Sequence, residues 1–375
     1  MESQFGTSTP YSLGIEEEFQ LVDLETLALV PQIEALLETF EGSTVRGRVK
    51  PELLQSVVEV STRISVDVAE AVDDLADLRQ RVERAAAGCG AAIASAGTHP
   101  FSRPDDQSVT ARPRYAELWE SLGWLGARQP VFGLHVHVGV GSAAKAAACA
   151  DGVRNHLPEL LALSASSPFL DGRPTGLAST RAQIVLDLPR TGIPPPLGSF
   201  DVFERLVEDG VAAGFFPDYT YLWWDVRPHP LLGTVEVRVF DAQTRIASVA
   251  ALAALAQSLV ATIGSAFECG ECTPAAPAAV LDENRRRAAR DGLAARLVDP
   301  FDGTERTATE TISTLAEDCA PAADALGCAD ELGLVESILR DGTGADEQLR
   351  VYEETLDVRA VARRIVEETA VLALA

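Results

Sequence analysis

The stretch GIEEEFQLVD, Gly14 to Asp23, decides how this chain is read. As a strand over Leu13 to Val22, it sends alternate side chains to opposite faces. Glu16 and Glu18 then share a face with Gly14 and Gln20. Leu13, Ile15, Phe19 and Leu21 fill the other face, with Glu17 among them. Two like charges side by side on one strand face destabilise a sheet unless something positive compensates them, and a divalent cation is the obvious candidate. Glu17, on the apolar side, needs an arginine from a covering helix or a wet edge.

Four further segments repeat the pattern. In VVEVSTRI (57–64), Glu59, Ser61 and Arg63 alternate with Val58, Val60, Thr62 and Ile64. In LHVHVGV (134–140), His135, His137 and Gly139 oppose Leu134, Val136, Val138 and Val140. In STRAQIVL (179–186), Ser179, Arg181 and Gln183 alternate with Thr180, Ala182 and Ile184. In VEVRVF (235–240), Glu236 and Arg238 alternate with valines. Each segment has an apolar face for helices to cover and a second face of carboxylate, imidazole or guanidinium. Strands with one solvated face are characteristic of antiparallel or mixed sheets. The fold class expected is therefore α+β: a mainly antiparallel β-sheet with a polar active-site face and helices packed on its other face. A salt-adapted solvated sheet with satisfied histidines would explain any one strand, but explains five together poorly. Hard divalent cations take carboxylate oxygens and waters and commonly share them with nucleotide phosphates, and arginines add fixed donors for such oxygens. The picture is a concave sheet surface holding Mg²⁺ and ATP.

The common nucleotide and hydrolase signatures are absent: G-x-x-x-x-G-K-[ST], G-x-G-x-x-G between strand and helix, H-E-x-x-H and G-x-S-x-G do not occur. His135 and His137, two apart on a strand, can both point at one metal, so a metal-dependent hydrolase without ATP is a competing reading.

The charge balance narrows the partners. The chain of 375 residues carries 31 basic and 56 acidic residues, net -25, and its lysines are Lys50 and Lys145 alone. No basic stripe is available to neutralise nucleic-acid phosphates or an anionic membrane. Such a charge keeps a protein soluble but self-repelling until salt screens it, which suggests a salt-loving source. No stretch approaches 18 uncharged apolar residues and no signal peptide is seen, so a cytoplasmic protein is expected. Six cysteines give no disulfide framework; Cys269 and Cys272 form a lone C-x-x-C without further zinc ligands nearby.

Strands are expected at 11–22, 24–30, 43–50, 56–64, 131–140, 179–188 and 235–240. Helices are expected from Pro31 to about Phe40, over 67–96, after 113, and over 151–167, 199–210 and 246–263. From 275 the pattern is helical, with amphipathic runs at 281–297, 308–324, 330–340 and 345–373. The expected organisation is one catalytic domain over 1–375, with a sheet-bearing core at 11–245 and a helical part, 275–375, packed on it.

Four stretches, YSLGIEEEFQLVD, ARPRY (111–115), VFGLHVHVGV and RPHPLLGTVEVRVFDAQT, resemble the carboxylate-amine ligases related to glutamate–cysteine ligase, the type 2 or YbdK-like group. They span residues 11 to about 245. The resemblance implies a glutamine-synthetase-like superfamily fold with a strongly curved antiparallel sheet lining the active site. It implies Glu16, Glu18, Glu59 and Glu236 as Mg²⁺ ligands, with Mn²⁺ an alternative. His135 and His137 would face metal or nucleotide, and Arg238 the transferred phosphate. Arg181 and Arg227 are candidates for the substrate carboxylate or the phosphates, and His99, Arg112 and Tyr115 for pocket-lining loop residues. Trp223 and Trp224 would be an aromatic wall or core. The implied reaction forms γ-glutamylcysteine from L-glutamate, L-cysteine and ATP through γ-glutamyl phosphate, releasing ADP and phosphate. A homodimer is an open option. On top of the resemblance, the saline composition favours cysteine as acceptor, since salt-loving archaea that use γ-glutamylcysteine would need such a ligase; no single residue points to it. A different amine, or a different carboxylate, is the nearest alternative.

Overall fold

Seven strands form one sheet: β1 (Leu13–Asp23), β2 (Arg48–Pro51), β3 (Val57–Ser61), β4 (Ala91–Ala94), β5 (Gly133–Gly139), β6 (Val226–His229) and β7 (Thr234–Asp241). The structure, a computed structural model, describes residues 2–41 and 44–372. The strand order is β6-β7-β5-β1-β3-β2, with β4 paired to the far half of β1. All seven are joined by antiparallel ladders.

β1 sits at the centre and shows why the alternation matters. Leu13, Ile15, Glu17, Phe19 and Leu21 are buried, while Glu16 and Glu18 are only partly so. Ile15, Phe19 and Leu21 are fully buried, each contributing about 1.5–3 kcal/mol by leaving water. The apolar face is covered by α2 (Val68–Gly88) and α7 (Ile246–Glu268), which both contact sheet strands. Asp67 caps α2 by accepting from the Glu70 N–H, one of the donors a helix start leaves unpaired.

Other helices complete the frame: α1 (Ile33–Glu38), α3 (Pro113–Leu122), α4 (Ala143–Arg154), α5 (Leu157–Ser164) and α6 (Phe200–Ala212). The C-terminal part adds α8 (Ala278–Asp291), α9 (Ala308–Leu326), α10 (Ala329–Asp341), α11 (Gly344–Thr355) and α12 (Val358–Thr369). α9 and α10 pack on α7, and one apolar cluster runs from the sheet valines through α7 to Leu315, Val335 and Ile338.

The structure corrects several expectations. The strongly curved sheet is the first: the sheet is open, neither curved round nor closed, and its path ends at two edges, β6 and β2. Ser179–Leu188 is not a strand but a one-turn helix, Arg181–Ile184, followed by a tighter turn. There the Ser179 hydroxyl accepts the Ala182 N–H and donates to Asp241; such local side-chain bonds compete with a sheet ladder. Residues 24–30 make a turn rather than a strand, with Leu29 bridging Val22. The expected helix 67–96 stops at Gly88, and Gly90 (φ +75°) turns the chain into β4. The expected helix 151–167 is two helices, α4, which already begins at Ala143, and α5, and a hairpin of Arg296–Val298 with Glu305–Thr307 interrupts the helical part. The expected segments 43–50 and 345–373 begin or end outside the described residues.

α7 corrects the reading of apolar runs. It is 23 residues long with a mean hydropathy of 2.0 over its most apolar window, long and apolar enough to cross a membrane by length and composition, yet 83% of that window is buried inside the protein. A helix apolar on all sides suits a core position: α2, α4, α9, α10 and the sheet surround it.

Candidate active site

The ladder registers line the polar side chains up in rows. Arg227 of β6 stands opposite Glu236 of β7, and Glu236 opposite His137 of β5. His135 stands opposite Glu16, and Glu16 opposite Ser61. Glu18 stands opposite Glu59, and Glu59 opposite Lys50. Opposed residues in antiparallel strands have Cβ atoms only about 5 Å apart, so these rows form one polar floor.

At its centre, ligand atoms of Glu16, His137 and Glu236 lie within 4.8 Å of one another. His137 Nε2 is 3.6 Å from Glu16 Oε2 and 3.8 Å from Glu236 Oε1. That nitrogen is buried with no hydrogen-bond partner, while Nδ1 meets the Thr234 hydroxyl at 3.1 Å. His135 Nδ1 approaches Glu16 Oε2 at 3.5 Å. Glu236 is gripped by Arg227 Nε at 2.7 Å and by Arg238. Arg227 is itself fixed by the Thr220 and Leu222 carbonyls. Arg238 sits where the β5–β7 register shifts between Val237 and Phe240; such a bulge re-aims a side chain. Here it brings Arg238 against Glu236 and to 3.5 Å from His135 Nδ1.

Charge follows from burial and neighbours. Burial would raise the Glu236 carboxyl, but Arg227 and Arg238 outweigh it and hold it well below the usual range. Glu16 is likewise held low against burial, by His135 and His137. Burial and the Glu59 charge push Glu18 up to about 7, and burial and Glu16 push Glu59 up to about 8. Burial, then Arg238, lowers His135 to about 4. His137 is pulled down by burial but held above its ordinary value by Glu236 and Glu16. A floor with surplus carboxylates and an unpaired imidazole nitrogen is built to receive positive charge.

Two cavities flank the floor. One of about 560 Å³ is lined by Gly14, Glu16, Lys50, Ser61, His137 and Thr234 among others. A narrower one of about 180 Å³ is lined by Glu18, Glu52, His135, Arg181, Trp223 and Arg238 among others. Arg181 reaches this side from its one-turn helix, donating to the Val239 and Arg238 carbonyls. Gly133 makes room for it: a Cβ there would stand 2.6 Å from the guanidinium. Its N–H also donates to Glu18 at 2.6 Å. Trp223 faces the narrower cavity, and Trp224 is core.

Two expected pocket residues take other places, and one residue of the expected polar face leaves the floor. Arg112 is exposed on the start of α3 and pairs with Glu34. Arg63 leaves the floor where β3 ends and pairs with Asp74 of α2, while still lining the larger cavity. His99 is a buried structural ring: Nε2 donates to the Leu27 carbonyl at 2.8 Å, and Nδ1 accepts the Phe101 and Ser102 N–H groups. Tyr115 stays near the site, its hydroxyl on the Pro51 carbonyl at 2.7 Å. Sequence reasoning missed Lys50, 2.6 Å from Glu59, and Glu52, a neighbour of Glu18 and Glu59 whose carboxyl burial and Glu18 raise. Lys50 carried a signal, being one of two lysines in the chain; Glu52 lies outside the strand pattern and carried none.

His99 yields a pH prediction. Burial lowers its pKa to about 4, so its contribution is complete above the unfolded value of about 6.5 and is lost as pH falls toward 4, worth about 3 kcal/mol at most. The stability gap between wild type and His99→Leu, measured by urea unfolding, is expected to narrow over that interval. A gap constant from pH 7 to 4 refutes the assignment.

The comparisons with known proteins agree on a family. The model of glutamate-cysteine ligase family 2 (GCS2) matches residues 12–368. A Rubrobacter xylanophilus protein provisionally named glutamate–cysteine ligase 2-3 is 44% identical over 99% of this chain and 100% of its own. One from Sorangium cellulosum, provisionally named glutamate–cysteine ligase 2, is 40% identical over 96% of each. Among solved structures, the glutamate–cysteine ligase of Francisella tularensis in complex with AMP superposes with a TM-score of 0.70 at 14% identity, covering 98% of this chain and 91% of that one. A bifunctional glutathione synthetase from Pasteurella multocida gives 0.64 at 14% identity, over 96% of this chain and 52% of that one. At these identities the structural likeness is one of fold.

Proposed function

Because the chain belongs to glutamate–cysteine ligase family 2 and is an enzyme of that family, we propose that it forms γ-glutamylcysteine from L-glutamate and L-cysteine at the expense of ATP. The observation that carries this reading is the convergence of Glu16, His137 and Glu236 within 4.8 Å beside the guanidiniums of Arg227 and Arg238. Carboxylate, imidazole and guanidinium together suit a metal-bound polyphosphate better than an apolar or neutral ligand.

The residues fit a divalent cation. His137 Nε2 is buried, unpaired and aimed at two carboxylates; Glu18 and Glu59 add surplus carboxylates alongside. Glu16, His137 and Glu236 would hold one ion, and Glu18 and Glu59 would hold another or share it. The carboxylates of the set suit Mg²⁺ or Mn²⁺. When bound, such an ion neutralises phosphate charge and polarises a phosphoryl oxygen.

The chain's own side chains do the positioning. Arg238 and Arg181, on the wall of the narrower cavity, would face the γ-phosphoryl group and the substrate carboxylate. Arg227 keeps Glu236 ionised and aligned. The glutamate side-chain carboxylate attacks the γ-phosphate and ADP leaves. The cysteine amine then attacks the γ-glutamyl phosphate carbonyl, and phosphate leaves as the amide forms. No covalent enzyme nucleophile is required; catalysis is positioning and charge stabilisation.

The test is phosphate release from ATP with Mg²⁺ and glutamate over a panel of amines. Cysteine-stimulated release with γ-glutamylcysteine as product is expected. Stimulation by another amine alone replaces the acceptor. Amide hydrolysis without ATP replaces the reaction class with a metal-dependent hydrolase built on His135 and His137.

A further inference from the structure

Lys50 is a lightly held cation of the floor, and Arg48, two residues before it on the same strand, is exposed and lines the same cavity. Lys50 lies on β2, an edge of the open sheet, with its side chain 38% exposed. Its ammonium is 2.6 Å from Glu59 Oε1 and 3.7 Å from Glu16 Oε1. Among the described residues its side chain makes one hydrogen bond, to Glu59. The arginines are pinned more firmly: Arg227 by Glu236 and two carbonyls, Arg181 by two carbonyls. Lys50 also lines the cavity of about 560 Å³ that opens from Glu16 and His137. A lysine ammonium is a compact point charge on a flexible four-carbon stem, unlike the planar fork of arginine. In a chain whose remaining 29 cations besides the two lysines are arginines, this position holds a lysine.

We infer that Lys50 is a placeholder cation: it neutralises Glu16 and Glu59 until a divalent ion loads, then swings into the larger cavity and takes a phosphate oxygen of the nucleotide. The inference rests on the proposed metal–nucleotide reading. Its physical basis is like-charge repulsion: the ammonium stands 3.7 Å from Glu16 Oε1, and an ion held at the Glu16 Oε2 that faces His137 would lie close beside it. An arriving ion removes the reason for Lys50 to stay and repels it at close range. The cavity that Lys50 lines together with Glu16 and His137 then offers the nearest negative partner, the polyphosphate. Ion loading and nucleotide capture become linked through one side chain, so that each favours the other.

The test measures binding rather than turnover. Free Mn²⁺ is followed by electron paramagnetic resonance while the intact protein is titrated, first alone and then with a non-hydrolysable ATP analogue. For Lys50→Gln, Mn²⁺ without nucleotide is expected to bind at least about tenfold more tightly, because the competing charge is gone. The Mn²⁺-loaded variant is expected to bind the analogue at least about tenfold more weakly. Lys50→Arg, which keeps the charge, should retain wild-type-like metal affinity. Unchanged or weaker Mn²⁺ binding in Lys50→Gln overturns the placeholder role, and unchanged analogue binding overturns the swing. A wild type that binds no Mn²⁺ with or without the analogue instead overturns the metal–nucleotide reading itself.

Discussion

Glu16→Gln is expected to lower kcat by about 10²–10³-fold or more, the size of effect seen when one preorganised electrostatic partner of a transition state is removed. The substitution is isosteric and removes one negative charge at the meeting point of His135, His137 and Lys50. The fold should tolerate it. Glu16 is only partly buried on the polar floor, so the amide stays in polar surroundings and only the attraction to His135 and His137 is lost. Glu18→Gln should behave alike in turnover, and its amide oxygen can still accept the Gly133 N–H. The measurement is steady-state phosphate release beside the urea midpoint of the same preparation. Loss of turnover with an unchanged midpoint supports the assignment; wild-type turnover in a folded Glu16→Gln protein sinks it. A parallel loss of both would mean that Glu16 is structural.

What was legible in advance was whatever a period of two can encode. Glu16, Glu59, His135, His137 and Glu236 were separable from their apolar neighbours because each strand alternates cleanly, and the ladders bring them together. Arg181 was placed on a strand for the same reason and wrongly: the Ser179 hydroxyl makes local bonds that start a helical turn, and hydroxyl competition leaves no periodic trace. His99 and Arg112 sat in loops beside recognisable segments, but their partners, Leu27 and Glu34, are about 70–80 positions away in sequence and belong to no repeating pattern. Glu52 was hidden because the chain leaves the sheet at Pro51. The openness of the sheet was also unreadable: alternation fixes which face a residue joins, while curvature depends on bulges and strand ends such as the Val237–Phe240 shift.

Arg79→Met is expected to cost about 3–5 kcal/mol of stability, the range for breaking a buried ion pair by removing one partner. Glu17 and Arg79 are among the most buried charged side chains, with side-chain exposures of 0% and 1%. Arg79 Nε donates to Glu17 Oε2 at 2.9 Å, Nη2 donates to Glu17 Oε1 and the Gln243 carbonyl, and Nη1 donates to the Thr244 carbonyl. Ser95 donates to the same carboxylate at 3.1 Å. Burial raises the Glu17 carboxyl even with Arg79 present, so without the guanidinium it would be protonated or drag water into the core. The pair also carries specificity. Glu17 is the one acidic residue of the Glu16–Glu18 run that points into the core, and a one-residue slip of β1 would send Glu16 and Glu18 inward in its place. Only Glu17 meets an arginine there, so the pair fixes the register that presents the other two carboxylates to the site. Glu17→Gln on top of Arg79→Met should recover part of the loss, because it removes the uncompensated charge, but not all, because the Gln243 and Thr244 carbonyls remain without their donor. Urea unfolding of the two single variants and the double variant measures the coupling. A coupling near zero would show that the two residues do not act as a pair, and β1 would then owe its register to its apolar face alone.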